Sequence, residues 1–397
     1  TVTYLALAGR KSLNVYSLEE AEQRFRHTLE LLDRVPDCAE GAIFVDVLLN
    51  LSRVYYFRGK IKCVVLLGER YLSRVEALRD GHSLSRFLFE TGYAHLLAGR
   101  PDVGKALLER ALDIAEAGCD DEGIGYACMG LMWNYTFWEP ASARNNAIND
   151  MRRLGQRALE IGKRLGDVWL ITKTLGAFST EASIWGRPNE VRRFDDQLLE
   201  LSRETEDTRA KSEAMFRVAF SRISSGDYED AIEHANMSLS LSLSPIDWLF
   251  ARQAKGLALV LLGRVPEGLS LLAEVRRAME DGGLLQSGLL LELPYGAALV
   301  SSGDMSRGMR CIDEATERYT RMGQPFSHAY GQWFLGEVYL RMVLAEARPT
   351  LPVICRNLGF LLCTLPFAAR KARHHLEAAI RHSRDLNMPG HLARCLC

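Results

Sequence analysis

The chain has 397 residues, of which 48% are hydrophobic and 25% are charged, and its formal net charge is −1. This is the composition of a globular protein, and the near-zero charge argues against a nucleic-acid-binding protein, which usually carries a strong basic excess. The nine cysteines contain no CxxC pair, which indicates free thiols in the cytoplasm rather than a disulfide framework. The sequence begins at Thr1, so we expect it to start inside a longer protein.

Glycine turns recur along the sequence at nearly constant spacing. Their anchoring residues are Gly59, Gly99, Gly186, Gly226, Gly263 and Gly303. The steps between them are 40, 87, 40, 37 and 40 residues, and we interpret the step of 87 as two steps with a degenerate turn near residues 137–142. A fixed period of this length is the signature of a repeat protein.

The turn in SSGDYEDAIEHA, residues 224–235, shows what one repeat contains. Apolar residues on both sides of Gly226 follow the spacing of one helix face. Glycine supplies the left-handed conformation that ends the first helix, and Asp227 is expected to cap the second. Since Ala231 and Ala235 are small, the two helices can cross closely. The unit is therefore a helical hairpin, which must stack on its neighbours to bury its apolar face.

Nine such hairpins fit the sequence. The first ends with the helix at residues 18–32, and the fourth has an irregular corner at residues 139–147. In the ninth, an apolar insertion at 347–367 separates the two helices, and we expect it to fold back as a cap that buries Leu358, Phe360 and Leu361. The predicted organisation is an array over residues 1–346, with 347–397 as its atypical last hairpin and capping helices rather than an independent domain.

The repeats resemble the tetratricopeptide repeat. The resemblance is carried by Gly226, Tyr228 and Ala231 and by LGEVY at residues 335–339, although the family's unit is 34 residues, about seven shorter than this period. It implies an all-α fold, a tetratricopeptide-like α-solenoid in which about nine antiparallel hairpins form a right-handed superhelix.

Residues with recognisable catalytic chemistry do not emerge from the sequence. GIGYACMG, residues 123–130, is not a GxGxxG loop, and no GxxxxGK[ST] occurs. We therefore expect no catalytic site, no metal and no cofactor, and we expect function to lie on the concave wall formed by the first helices. By helical register, the predicted partner-binding residues on this wall are Asn50, Arg53, Arg86, Tyr93, Arg217, Tyr330 and Trp333.

A narrower resemblance lies at residues 348–390, where RNLGFLL, LPFAARKA and HLEAAIRHSRDL occur in that order. This region is similar to the end of the helical C-terminal region of bacterial multidomain class III adenylate/guanylate cyclases. Residues 21–37 are similar to the opening repeat of the same array. The resemblance implies a regulatory, non-catalytic arm of a cytoplasmic signalling protein.

Three classes of function remain open. The first is a regulatory array that binds a protein partner or other domains of its parent chain, with no nucleic acid and no membrane involved. The second is a small-molecule-sensing repeat domain of a large ATPase-type bacterial transcription activator. The third is an enzyme with an unrecognised site, since catalytic groups can assemble across a fold from distant positions.

Overall fold

The computed structural model describes residues 2–34, 41–138, 144–344, 350–386 and 388–396. These residues form α-helices, one short 3-10 segment at Leu365–Phe367, and no strand. The helices in chain order are α1 (Val2–Asn14), α2 (Leu18–Arg34), α3 (Gly41–Phe57), α4 (Ile61–Ala77), α5 (Gly81–Leu97), α6 (Pro101–Ala117), α7 (Asp121–Phe137), α8 (Arg144–Leu165), α9 (Val168–Ile184), α10 (Pro188–Glu204), α11 (Thr208–Ser225), α12 (Tyr228–Leu241), α13 (Pro245–Leu261), α14 (Val265–Gly282), α15 (Leu285–Ser301), α16 (Met305–Arg321), α17 (Pro325–Leu344), α18 (Leu351–Arg356), α19 (Leu358–Thr364), α20 (Ala368–Asp385) and α21 (Pro389–Leu396).

The helices pair as antiparallel hairpins. Consecutive helices pack together from α1 with α2 to α15 with α16, and α17 pairs with α20 across the two short helices between them. The described part of the chain thus contains nine hairpins, as predicted. The first helix of each hairpin also contacts the first helix of the next, from α1 through to α17, so these helices form a continuous inner layer. The predicted all-α, tetratricopeptide-like solenoid is confirmed.

The glycines that anchor the predicted turns adopt the conformation that the sequence requires. All six have φ between 64° and 90°. This left-handed conformation commonly ends helices, and glycine adopts it without the steric cost that a Cβ would impose. Ala231 and Ala235 are fully buried, as the close helix crossing predicts. The prediction for Asp227 is wrong in part, because this residue precedes α12 but its side chain makes no capping hydrogen bond. The corner of the fourth hairpin lies mostly outside the described residues.

Successive turns of the superhelix touch each other. α3 contacts α13 and α5 contacts α15, so hairpins five repeats apart lie side by side. Lys62 Nζ donates hydrogen bonds to the main-chain oxygens of Glu280 (3.0 Å) and Asp281 (3.3 Å). Beside this contact, a Cβ added to Gly282 would overlap the carbonyl oxygen of Gly59. The inner layer therefore closes around a narrow lumen instead of forming an open trough.

The C-terminal helix α21 makes further contacts between distant hairpins. Arg394 Nη2 donates to the main-chain oxygen of Ser224 (3.2 Å), and a Cβ on Gly186 would lie 2.8 Å from the Cα of Gly390. Helix α21 is thus held at the corners of the fifth and sixth hairpins.

The apolar insertion of the ninth hairpin folds back as predicted, but as two short helices, α18 and α19. Phe360 packs against the core cluster of the last hairpins and Leu361 is half-buried. The prediction for Leu358 is wrong, because its side chain is 51% exposed. The helix turns Phe360 and Thr364 inward, and Leu358 starts the opposite face.

A buried carboxyl on the outer layer gives a first testable expectation. Asp195 of α10 is fully buried and accepts hydrogen bonds from Ser179 (2.8 Å) and Ser221 (3.0 Å) on the two adjacent inner helices. Burial raises the pKa of Asp195 to about 6, although both serine hydrogen bonds oppose the shift. The ionised carboxylate therefore costs stability at neutral pH, and this cost disappears as pH falls through 6 toward the ordinary aspartate pKa.

We expect Asp195→Asn to raise the free energy of unfolding by about 1–2 kcal/mol at pH 7 and to change it little at pH 4. Urea unfolding of both proteins at the two pH values measures this difference. An equal effect at both pH values would show that Asp195 does not titrate in the folded protein as stated.

Candidate functional site

A cavity of about 880 Å³, here called the lumen chamber, opens on the inner side of the first superhelical turn. Its walls come from the C-terminal end of α1, from α3, α5 and α7, from the start of α9, and from the segment that leads into α11. The lining residues are Arg10, Leu13, Asn14, Val15, Tyr16, Asn50, Arg53, Tyr56, Phe57, Glu90, Tyr93, Tyr126, Asp167, Trp169, Glu206, Asp207, Thr208, Arg209 and Leu243. Its volume lies in the range of clefts that hold small ligands.

A chain of five aromatic rings, here called the aromatic ladder, runs along one wall of the chamber. Four of the rings line the cavity, and Phe89 is buried in the wall. The centroids of Tyr56 and Tyr93 are 6.3 Å apart, and Tyr93 stacks on Phe89 at 5.8 Å. Phe89 lies 5.1 Å from Tyr126, whose ring is 5.5 Å from that of Trp169. Each contact lies in the range of favourable aromatic pairing. The ladder therefore ties four successive inner helices, α3, α5, α7 and α9, into one continuous wall.

Three charged side chains that line the chamber, Arg53, Glu90 and Glu206, make no ion pair with a described residue. Arg53 is exposed to the lumen, Glu90 is half-buried, and neither makes a hydrogen bond or ion pair with any described residue. Burial raises the pKa of Glu90, and the positive charges of Arg53 and Arg86 only partly oppose this. Of these three, Arg53 and Glu90 lie on the adjacent helices α3 and α5, so a cation and a carboxyl are available side by side to a ligand.

Two aspartates fix the helix ends that border the chamber. Asp167 Oδ1 accepts a hydrogen bond from Leu170 N (2.9 Å) as the N-cap of α9, while its Oδ2 accepts one from the Tyr126 hydroxyl (2.7 Å). Asp207 caps α11 by accepting bonds from the main-chain nitrogens of Arg209 and Ala210, each at 2.9 Å. These carboxylates are engaged in the fold and position its walls.

Next to the chamber lies a buried set of charged residues, here called the ion network, formed by Lys173, Arg209, Glu213, Arg217 and Asp247. Of these, Arg209 also lines the chamber. Lys173 Nζ lies 2.8 Å from Glu213 Oε1 and donates to the Tyr56 hydroxyl at 2.8 Å. Arg217 Nη2 bonds the same Glu213 oxygen at 3.0 Å, and Arg209 Nε lies 3.3 Å from Asp247 Oδ2. The network thus joins α9, α11 and α13 to the wall of the chamber through Tyr56.

The charge state of this network follows from its packing. Burial alone would raise the pKa of Glu213, but Lys173, Arg217 and Arg209 outweigh it and hold the pKa at about 2. Lys173 and Glu213 are each 1% exposed, so this is a fixed pair of buried opposite charges. Removing either partner would leave the other without compensation, which is costly inside a protein.

Three of the seven predicted partner-binding residues lie together in the chamber: Asn50, Arg53 and Tyr93. Asn50 Nδ2 donates to the main-chain oxygen of Asp46 (2.8 Å), which fixes its amide. Arg86 is buried behind the wall, where it pairs with Glu122 and lies 4.3 Å from the Tyr126 ring centroid.

The other three lie elsewhere. Arg217 belongs to the ion network, and its guanidinium lies 4.7 Å from the ring of Trp133. Tyr330 and Trp333 are on α17 in the last hairpin, where they pack against His391 of α21 at centroid distances of 4.0 and 6.2 Å. The structure does not bring these residues to the chamber, and their contact with a partner stays a prediction.

Sequence reasoning missed several chamber residues, above all Tyr56, Tyr126, Trp169 and Arg209. Tyr56 lies near the C-terminal end of α3, Tyr126 in the second turn of α7, and Trp169 in the first turn of α9. The wall therefore runs obliquely across the helices, whereas the prediction used one fixed register. An aromatic residue that moves toward the N-terminus in each successive first helix was the available signal.

Within the described ranges, no group of three or more His, Cys, Asp or Glu side chains is placed to hold a metal ion. No helix among the described residues is long and apolar enough to cross a membrane.

Comparison with known proteins identifies the fold. No family model matches the sequence, and no curated protein matches it. The structure is similar to that of a Rap protein complexed with competence and sporulation factor, with a TM-score of 0.52, 14% identity, and coverage of 87% of this chain and 98% of that one. It is also similar to the apo form of the quorum sensor NprR from B. thuringiensis, with a TM-score of 0.51, 13% identity, and coverage of 95% and 98%. At these identities the likeness shows a shared helical-repeat fold.

Proposed function

We propose that this chain is a non-catalytic sensor array that binds a short peptide in the lumen chamber. The observation that carries the proposal is the juxtaposition of Arg53 and Glu90, a cation and a carboxyl without ion-pair partners among the described residues, beside the aromatic ladder. A peptide offers matching groups, because its carboxylates pair with Arg53, its ammonium group pairs with Glu90, and its apolar side chains pack on the rings.

Two solved structures with this fold support a sensing role. The Rap protein was solved with competence and sporulation factor bound, and NprR is described as a quorum sensor. This chain shares their fold over most of its length, and its chamber supplies a binding surface of its own.

The output that such a sensor controls is proposed from sequence. The resemblance at residues 348–390 favours the C-terminal arm of a bacterial adenylate/guanylate cyclase, in which the array would regulate nucleotide cyclisation by another domain. The alternative is the sensor of an ATPase-type transcription activator with a small-molecule inducer. The size of the chamber is compatible with that inducer as well as with a short peptide.

Affinity selection tests the proposal. The purified chain is incubated with a library of short random-sequence peptides, and the retained peptides are identified by mass spectrometry. We expect a set of related sequences with an acidic group, and we expect Arg53→Ala to weaken their binding by roughly 1–3 kcal/mol, as at a central contact residue. Because Arg53 is exposed and makes no ion pair with a described residue, its loss should leave the thermal midpoint unchanged.

The matched control is Arg203→Ala on α10, an exposed arginine outside the chamber. It should bind the selected peptides like the wild type. Retention of no peptide, or an equal loss in both variants, would contradict binding in the chamber.

A further inference from the structure

The segment that interrupts the last hairpin carries an exposed apolar surface, here called the leucine surface. It consists of the side chains of Leu351, Leu358, Leu362, Leu365 and Phe367. Leu351 is 72% exposed and Leu362 is 68% exposed. Five large apolar side chains exposed within residues 351–367 indicate an interaction surface on a folded protein.

The solvent-exposed face of helix α19 is apolar, whereas the exposed face of an ordinary surface helix is polar. Phe360, Leu361 and Thr364 lie toward the protein, and Thr364 is buried. On the opposite side, Leu358, Gly359, Leu362 and Cys363 are exposed, and none of them is polar or charged in the way a solvated helix face requires.

The leucine surface is held in place by specific contacts. Asn357, between α18 and α19, is 3% exposed; its Nδ2 donates to the Gly303 carbonyl oxygen (2.8 Å) and its Oδ1 accepts from Met305 N (3.2 Å). Arg356 Nη2 pairs with Asp304 Oδ2 at 3.0 Å. These bonds hold the segment on the corner between α15 and α16. Its polar side chains Arg356 and Asn357 face that corner, and its apolar side chains stay exposed.

The segment that carries the leucine surface has an excess of positive charge. Residues 347–376 contain five Arg and Lys and no Asp or Glu. Arg370 and Arg373 follow directly in α20 and are exposed, and the Arg370 guanidinium lies 5.3 Å from the ring centroid of Phe367. The apolar side chains are therefore bordered by an excess of positive charge. Arg370 and Arg373 make no ion pair with a described residue, whereas Arg356 is paired with Asp304.

We propose that the leucine surface binds the surface of an anionic phospholipid membrane, with its leucines and Phe367 entering the boundary between headgroups and acyl chains. Apolar residues flanked by Arg and Lys are the combination that such a boundary accepts, because the hydrophobic and the electrostatic attraction add. A symmetric contact with a second copy would instead bring two basic borders together. This surface would hold the array at a membrane without a spanning helix, which revises the sequence-based expectation that no membrane is involved.

Co-sedimentation of the purified 397-residue chain with vesicles tests this proposal. Vesicles of phosphatidylcholine are compared with vesicles in which phosphatidylglycerol replaces roughly a third of the lipid. We expect binding to the anionic vesicles only. The double variant Arg370→Gln/Arg373→Gln should bind these vesicles more weakly, by roughly fivefold for each charge removed. Added salt should also weaken the binding.

Leu362→Glu should abolish vesicle binding, whereas the matched control Leu66→Glu, at a leucine that is 60% exposed on α4, should leave it unchanged. Both positions are exposed, so both variants should fold, and circular dichroism checks this. Equal binding to neutral and anionic vesicles, equal loss in the two glutamate variants, or no binding at all would overturn the proposal. The proposal would also be overturned if vesicle binding were absent and Leu362→Glu instead dissociated a dimer of this chain or a complex with an acidic protein.

Discussion

Replacing Glu213 with alanine is expected to lower the free energy of unfolding by about 3–5 kcal/mol. Glu213 is the carboxylate that Lys173 and Arg217 share, at 2.8 and 3.0 Å. Lys173 is buried, so without Glu213 its ammonium group keeps, among the described residues, only the Tyr56 hydroxyl as a close polar partner. Urea unfolding at neutral pH measures the loss, and hydrogen exchange should show it first in α9 and α11.

A double variant separates the cost of an uncompensated charge from the loss of packing. Lys173→Met combined with Glu213→Leu removes both members of the closest pair and keeps apolar volume. It should recover part of the stability that Glu213→Ala loses, since Lys173 is no longer uncompensated but Arg217 still lacks its carboxylate. A double variant as unstable as the single one would show that the pair itself supplies the stability.

The contribution of Glu213 to the stability of the fold should increase with pH. Its folded pKa of about 2 lies below the ordinary glutamate value, so its ionisation stabilises the fold above that ordinary value. This contribution is lost as pH falls toward 2. The stability difference between the wild type and Glu213→Gln should therefore be larger at pH 7 than at pH 3.

The second large effect is expected at the contact between superhelical turns. Gly282→Ala places a methyl group against the carbonyl oxygen of Gly59, a backbone atom that cannot move aside as a flexible side chain would. We expect a cost of about 1–3 kcal/mol, typical of overpacking. We also expect the two turns to separate, with loss of the hydrogen bonds from Lys62 to the end of α14. Small-angle X-ray scattering should show a larger radius of gyration.

The matched control is Gly359→Ala, because a Cβ added to Gly359 meets no atom within 4 Å. This variant should keep the radius of gyration and the stability of the wild type. An unchanged scattering profile for Gly282→Ala would mean that the turns are not held together at this contact.

The sequence predicted the repeats because each one is encoded locally. Gly226 and the alanines that follow it are a few residues apart, and such spacing determines a hairpin whatever the rest of the chain does. The same holds for the inward side of the last insertion, where Phe360 is packed as predicted. Local patterns therefore specified the hairpins and their number.

The closure of the superhelix and the course of the chamber wall could not be predicted in this way. Gly59 meets Gly282 across five repeats, and neither residue carries a local signal for the other. The aromatic ladder crosses the helices obliquely because the repeats rotate along the superhelix, so a single register found Tyr93 but missed Tyr126. Leu358 was expected to be buried because an apolar residue usually is, and the structure exposes it.

The most direct test of a ligand in the lumen chamber is the location of a bound peptide. A peptide retained in the affinity selection is resynthesised with a photoreactive group, cross-linked to the chain, and mapped by proteolysis and mass spectrometry. We predict adducts on residues of the chamber wall such as Tyr93 and Trp169, and their loss in Arg53→Ala. Adducts confined to the outer helices or to the leucine surface would contradict a peptide-binding lumen.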